Sequence, residues 1–110
     1  MLELRKKEQE LIDEILREFN FERCKLTMDY LNWTWVTTNG VRVPTIEDLK
    51  KSALNRIHSA IEVIRDRKNI SYHHPAVCSS GGLQATVFVN KYGHITNIGL
   101  EFVLTQWESF

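Results

Sequence analysis

The sequence predicts an α+β domain, with two or three N-terminal helices packed on one face of a C-terminal antiparallel sheet of two or three strands. Apolar residues recur at helical spacing in the first two thirds of the chain and alternate with polar residues in the last third. A length of 110 residues suits a single domain over residues 1–110. We expect its helical part at about residues 2–67 and its β part at about residues 76–107.

The first predicted helix covers residues 2–19. Its apolar side chains, counted from Leu4, recur at offsets of seven, eight, eleven and twelve, which places them on one face. They are Leu4, Leu11, Ile12, Ile15, Leu16 and Phe19. The charged residues between them, Glu8 included, are expected on the solvated face.

Residues 21–35 fit two periods. One series of apolar residues alternates as in a strand, namely Cys24, Leu26, Met28 and Tyr30. A second series recurs at helical offsets, namely Cys24, Met28, Leu31 and Trp35. Because the alternation breaks at Leu31 while the helical series continues, we predict a short helix over roughly residues 22–33, with a strand as the alternative.

A turn is predicted at residues 37–40, followed by an extended connector that ends at Pro44. Thr45 then precedes acidic residues, as at the N-terminus of a helix, and we place this helix at about residues 45–67. Its apolar stripe consists of Ile46, Leu49, Ala53, Ile57, Ala60, Ile61 and Ile64.

Two alternating runs, at residues 83–90 and 97–104, flank a glycine-containing turn at residues 91–93 and predict a β-hairpin. A shorter strand near residues 76–79 is expected to extend the sheet. The residues predicted to face the helices are Leu83, Ala85, Val87, Val89, Ile98, Leu100, Phe102 and Leu104.

Composition and charge exclude several classes of function. The chain has 14 Lys and Arg against 14 Asp and Glu, so nucleic-acid binding through bulk charge is not expected. The sequence shows no apolar stretch typical of a signal peptide or a membrane span. Two cysteines, Cys24 and Cys78, are too few for a disulfide framework. We expect a cytoplasmic protein that does not enter a membrane.

The charges are also unevenly distributed, since the only charged residues beyond residue 70 are Lys91, Glu101 and Glu108. The outward face of the predicted hairpin is therefore semi-apolar, and we predict that it joins two copies in a homodimer through Phe88, Gly99 and Val103. The alternative is an ordinary solvated face of Thr, Gln and Asn side chains.

Two groups of residues are candidates for contact with a ligand or a partner. Trp33 and Trp35 are either core anchors or a stacking platform for a base or a protein. Ser80, Gly81 and Gly82 form either a strand entry or bulge, or a nest of backbone N–H groups for an anion. His94 completes the set of candidate binding residues.

Metal and catalytic chemistry are not expected. His73, His74 and Cys78 lie within six residues, but adjacent histidines in a strand point to opposite faces. No Gly-x-Ser-x-Gly, His-Glu-x-x-His or Walker motif occurs. We predict a non-enzymatic protein that binds no metal and needs no cofactor.

Several segments occur in a recognisable order: Tyr30–Trp35, Val43–Thr45, Leu49, Ser80–Leu83, Leu100–Val103 and Trp107. This order resembles a group of small uncharacterised proteins encoded by phages and prophages. The resemblance spans most of residues 24–108 and is most specific at Asn32-Trp33-Thr34-Trp35. It implies the cytoplasm of a bacterial host and a role in host takeover or counter-defence.

These observations leave three functions open. The first is a protein-interaction module or an inhibitor of a host process, with a host protein as partner. The second is a sponge-like binder of a small ligand or nucleotide, in a pocket that joins the Ser-Ser-Gly-Gly loop, an aromatic side chain and a histidine. The third and least favoured is an enzyme built across a dimer interface.

Overall fold

The computed structural model describes residues 3–66 and 74–103. Its helices are α1 (Lys6–Glu18), α2 (Phe21–Tyr30) and α3 (Ile46–Asp66). Its strands are β1 (Trp35–Thr37), β2 (Gly40–Arg42), β3 (Ala76–Ser80), β4 (Leu83–Val89) and β5 (Ile95–Phe102). The predicted α+β class is confirmed, because the helices precede a three-stranded antiparallel sheet of order β3-β4-β5.

The helices form one layer over one face of this sheet. Helix α3 packs on β3 and β4, α1 packs on β5, and α2 packs on α3. The apolar stripe predicted for α3 is confirmed, since its residues from Leu49 to Ile64 are buried while Ile46 is half-buried. They share one core with the inward side chains of the sheet and with Ile12 of α1.

The alternation predicted for the C-terminal strands is confirmed. In β4, residues Leu83, Ala85, Val87 and Val89 are buried, and the residues between them are more exposed. A register shift between Phe88 and Val89 pairs Val89 with Ile95, so β5 begins two residues earlier than predicted. The predicted inward residue Leu104 lies outside the described residues.

The second helix is confirmed but ends earlier than predicted. It stops at Tyr30 because Asn32 adopts a left-handed φ of 53°. The Trp33 N–H then donates to the Met28 carbonyl at 2.9 Å, and the Asn32 N–H donates to the Asp29 carbonyl at 3.1 Å. These two bonds form a Schellman motif, which ends the helix and turns the chain into an extended segment.

The structure corrects the prediction for residues 35–44. Strands β1 and β2 form a separate two-stranded antiparallel hairpin, which we did not predict. The predicted turn at residues 37–40 is confirmed as the connection between these strands, and the predicted extended connector contributes β2. Trp35 therefore lies in a strand, opposite Arg42. Val36 and Val41 are paired on the other face and expose 85% and 64% of their surface.

Glu8 is a second correction, because it is fully buried and not solvated. It lies four residues after Leu4, on the apolar stripe of α1, and faces the start of β5. No helix within residues 3–66 and 74–103 is both long and apolar enough to cross a membrane.

Candidate functional site

The two tryptophans meet the β3–β4 turn. The Schellman motif at the end of α2 directs Trp33 towards this turn, and β1 carries Trp35 to the same place. The indole N–H of Trp35 donates to the Gly81 carbonyl at 3.2 Å, and both rings are half-buried against the core. Trp33 also packs on Phe102, with ring centroids 6.1 Å apart. The tryptophans thus anchor the hairpin to the sheet.

The β3–β4 turn is a two-residue hairpin connection and not the bulge or loose strand entry considered from the sequence. Gly81 and Gly82 have φ angles of +63° and +92°, and Ser80 pairs with Leu83. Positive φ at both central positions is typical of a type I′ turn. The Gly82 carbonyl accepts from the Val103 N–H at 2.8 Å, so both glycine carbonyls of the turn are used within the protein.

Helix α3 supplies the opposite wall. Ser52 and Arg56 are four residues apart and therefore lie on the same side of the helix. The Arg56 Nε atom is buried and has no hydrogen-bond partner. A buried donor without an acceptor is costly, so such an atom in a native fold calls for an ion, a water or a ligand.

These elements enclose a cleft of about 490 Å³, which we call the tryptophan cleft. This volume lies within the range of about 300–1,000 Å³ that small-molecule sites occupy. Arg56 carries the one charge among its described lining residues, and several hydroxyl groups surround it. The lining residues are Trp33, Thr34, Trp35, Val36, Thr37, Ser52, Arg56, Ser80 and Gly81.

The hairpin is fixed to α3 at the edge of this cleft. Arg42 donates to both oxygens of Asp48, at 2.6 and 2.9 Å. Asp48 also accepts from the Thr45 N–H at 2.9 Å, while its own N–H donates to the Thr45 hydroxyl. The hydrogen bonds from Arg42 and Thr45 hold the pKa of the Asp48 carboxyl well below its usual range. The two walls are therefore held in register by an ionised pair at neutral pH.

His94 does not belong to the tryptophan cleft. It lies in the turn before β5, whereas Gly81 and Gly82 precede β4, so β4 separates them by its whole length. His94 instead borders a larger cleft of about 800 Å³ beside Arg5, Glu8 and Arg65. The sequence-predicted residues are thus divided between two ends of the sheet.

The larger cleft is dominated by an ion pair that is already satisfied. Arg65 donates to both carboxylate oxygens of Glu8, at 3.0 and 3.2 Å, and to the Glu3 carbonyl. Glu8 also accepts from the backbone N–H groups of Arg5 and Ile95, at 2.9 and 2.8 Å. Burial raises the pKa of Glu8, but these hydrogen bonds and the Arg65 charge outweigh burial and lower it. The Arg65 guanidinium is therefore fully engaged within the protein, and Arg5 is also paired with Glu8.

The predicted interface residues fall on or near the outer face of the sheet. Phe88 exposes 37% of its surface. Gly99 is half-buried and pairs across the sheet with Thr86, which in turn pairs with Val77. Val77, which the sequence analysis did not single out, exposes 52%. Val103 is half-buried just after β5, where its N–H is bonded to the β3–β4 turn.

The described residues offer little to a metal or a thiol chemistry. Within residues 3–66 and 74–103, no group of three His, Cys, Asp or Glu side chains comes together that would hold a metal ion. Burial raises the pKa of the Cys24 thiol to about 11, so this thiol stays protonated at neutral pH. His73 lies outside the described residues.

Sequence reasoning grouped the tryptophans with the Ser-Ser-Gly-Gly segment, and the structure places them together. It missed Ser52 and Arg56, neither of which was among its candidate binding residues. The available signal was their position directly beside the apolar stripe, three residues after Leu49 and Ala53. Comparison with protein-family models, with curated proteins and with solved structures found no match for this chain.

Proposed function

We propose that this protein acts by binding and not by catalysis, and that it takes a small organic anion with an aromatic ring in the tryptophan cleft. The observation that carries the proposal is the buried, unpartnered Nε of Arg56 in a cleft that has two indoles in its walls. An anionic oxygen at this position satisfies the donor and neutralises the only charge of the described lining.

Both parts of the ligand have a physical reason. A hydrogen bond between a guanidinium and an anionic oxygen contributes about 1.5–3 kcal/mol, more than a neutral bond does. A planar ring on an indole adds about 1–3 kcal/mol by stacking. Hydroxyl groups of Thr34, Ser52 and Ser80 border the same space and can donate or accept.

The test uses phenyl phosphate as a probe that carries both features. We expect it to change the tryptophan fluorescence in a saturable titration, and Arg56→Gln to weaken binding at least tenfold. Lys51→Gln, on an exposed residue of the same helix, is the matched control and should bind like the wild type. Equal affinities for the wild type and Arg56→Gln would refute the proposal.

A second candidate is a protein-interaction module, as the phage resemblance suggests, with a host protein or a second copy as the partner. The observation that favours it is the outer face of the sheet, where Val77 and Phe88 are exposed. Strands β3 and β4 contain no charged residue, and β5 contains only Glu101. We propose that this face binds a second copy of the chain, and the oligomeric state of the protein tests this proposal.

A further inference from the structure

On the basis of the proposed function, we infer that the ligand of the tryptophan cleft is a nucleoside monophosphate with little selection among bases. The phosphate lies at Arg56 and Ser52, and the base lies against the indoles of Trp33 and Trp35. Each part of this assignment follows from the number and type of groups that line the cleft.

The charge of the cleft limits the number of phosphates. One guanidinium presents a fork of N–H donors that matches two oxygens of a single phosphate. A triphosphate carries more negative charge and usually binds as a complex with Mg²⁺, which carboxylate side chains of the protein coordinate. The described lining contains no carboxylate and no second cation, so it suits one phosphate group.

The hydroxyl groups divide between the two ends of such a ligand. Ser52 lies one helical turn from Arg56 and is placed to donate to the same phosphate. Thr34 and Ser80 border the cleft on the hairpin and turn side, where a ribose has hydroxyls to pair with. The Thr37 hydroxyl is already engaged, because it donates to the Gly40 carbonyl at 2.8 Å.

The lining also explains why the base is not selected. Proteins distinguish bases through amide, carboxylate or guanidinium side chains that pair with a base edge. The described lining contains no Asn, Gln, Asp or Glu, and its single Arg is assigned to the phosphate. Stacking on an indole accepts any base, since every base has an aromatic face.

The larger cleft beside His94 does not fit the same ligand. Its two guanidinium groups, Arg5 and Arg65, are both paired with Glu8, and Glu3, Glu62 and Asp66 add further negative charge around them. A phosphate placed there meets net repulsion and no free guanidinium from Arg65. The two clefts therefore differ in charge although the larger one has more room.

The experiment compares five probes by isothermal titration with the wild-type protein: AMP, UMP, ATP, adenosine and inorganic phosphate. We expect AMP to bind at least tenfold more tightly than adenosine or phosphate, UMP to bind within tenfold of AMP, and ATP to bind no more tightly than AMP. Arg56→Gln should weaken the binding of AMP at least tenfold and leave the affinity for adenosine unchanged. Lys51→Gln should change neither affinity. Thermal melts establish that both variants are folded.

The outcomes separate this inference from the proposed function. If phenyl phosphate binds through Arg56 but AMP does not, the nucleotide is excluded and the aromatic anion remains. A strong preference for one base, or tighter binding of ATP than of AMP, contradicts the charge and lining arguments above. If neither phenyl phosphate nor AMP binds, both proposals are overturned.

Discussion

Glu8 joins three parts of the chain that are far apart in sequence. Its carboxylate accepts hydrogen bonds from the N-terminus of α1, from Arg65 near the end of α3, and from Ile95 at the start of β5. A buried carboxylate is tolerated only when its oxygens are fully bonded and its charge is paired. Glu8 meets both conditions, so its loss affects packing and charge together.

We predict that Glu8→Gln lowers the free energy of unfolding by about 2–5 kcal/mol at pH 7, because Arg65 loses its partner in a buried site. Glu10→Gln, on an exposed residue of the same helix, should stay within about 0.5 kcal/mol of the wild type. Urea denaturation of the three proteins provides the comparison. Similar losses in the two variants would mean that Glu8 is solvated after all.

The same residue predicts a pH dependence. The folded-state pKa of Glu8 lies below the ordinary value of 4.5. The contribution of the ionised carboxylate to the free energy of unfolding is therefore complete above pH 4.5, and it is lost as the pH falls through the folded-state pKa. The gap in unfolding free energy between the wild type and Glu8→Gln should therefore narrow on going from pH 7 to pH 3. A gap that stays constant over this range would contradict the assignment.

Gly82 gives a second test at the scale of single residues. A Cβ at this position would lie 3.0 Å from the Phe102 ring and 3.1 Å from the Met28 methyl, and its φ of +92° strains any L side chain. We predict that Gly82→Ala lowers the unfolding free energy by about 2–4 kcal/mol, as the sum of strain and overpacking. Gly99→Ala is the control in thermal melts, because its Cβ meets Thr86 at an ordinary 3.8 Å. Equal losses would show that the turn tolerates a side chain.

At the scale of elements, sequence periodicity identified the helices and strands that bury a regular face in the core. Helices α1 and α3 and the strands β4 and β5 bury one regular face, so their apolar residues recur at the period of the element. The β1–β2 hairpin has no such face, since Val36 and Val41 point outward and each strand has three residues. It is held by the hydrogen bond from Trp35 to Gly81, 46 residues away, and by the ion pair between Arg42 and Asp48. Such contacts leave no periodic pattern in the sequence.

The candidate site shows the same limit. The tryptophans and the glycine turn stand out in the sequence because their residue types are unusual, and the structure brings them together. Arg56 does not stand out, because an Arg on a long helix is usually solvated. Its proposed role depends on the cleft that it shares with the β1–β2 hairpin, and that hairpin was not predicted. His94 was grouped with the tryptophans by residue type alone, and β4 separates them.

The phase of α3 can be tested directly. Ile57 is fully buried, and we predict that Ile57→Ala lowers the unfolding free energy by about 2–5 kcal/mol through lost contacts and a cavity. Lys51→Ala, at an exposed position of the same helix, should change it by less than about 0.5 kcal/mol. Chemical denaturation measures both, and comparable effects would place the helix in a different rotation against the sheet.

At the scale of the whole molecule, the fold has two layers and one uncovered sheet face. The described helices pack on the inner face, while Val77 and Phe88 lie on the outer one together with Thr86 and Gly99. Edge strands of natural sheets usually carry charges or Pro that discourage pairing, and β3 carries neither. A neutral face with an unprotected edge favours contact with another copy of the same chain.

We predict that the protein is a homodimer through this outer face, because a small domain gains buried apolar surface by sharing it. Light scattering at micromolar concentration should then report about twice 12.9 kDa. Phe88→Lys combined with Val77→Lys should shift the mass to the monomer, since two charges facing their symmetry mates cannot be buried without partners. Tyr92→Lys is the matched control, because Tyr92 is exposed in the β4–β5 turn and should leave the dimer intact. A wild-type monomer would exclude the second copy and leave the face open to a different protein, whereas dissociation by Tyr92→Lys alone would move the interface to that turn.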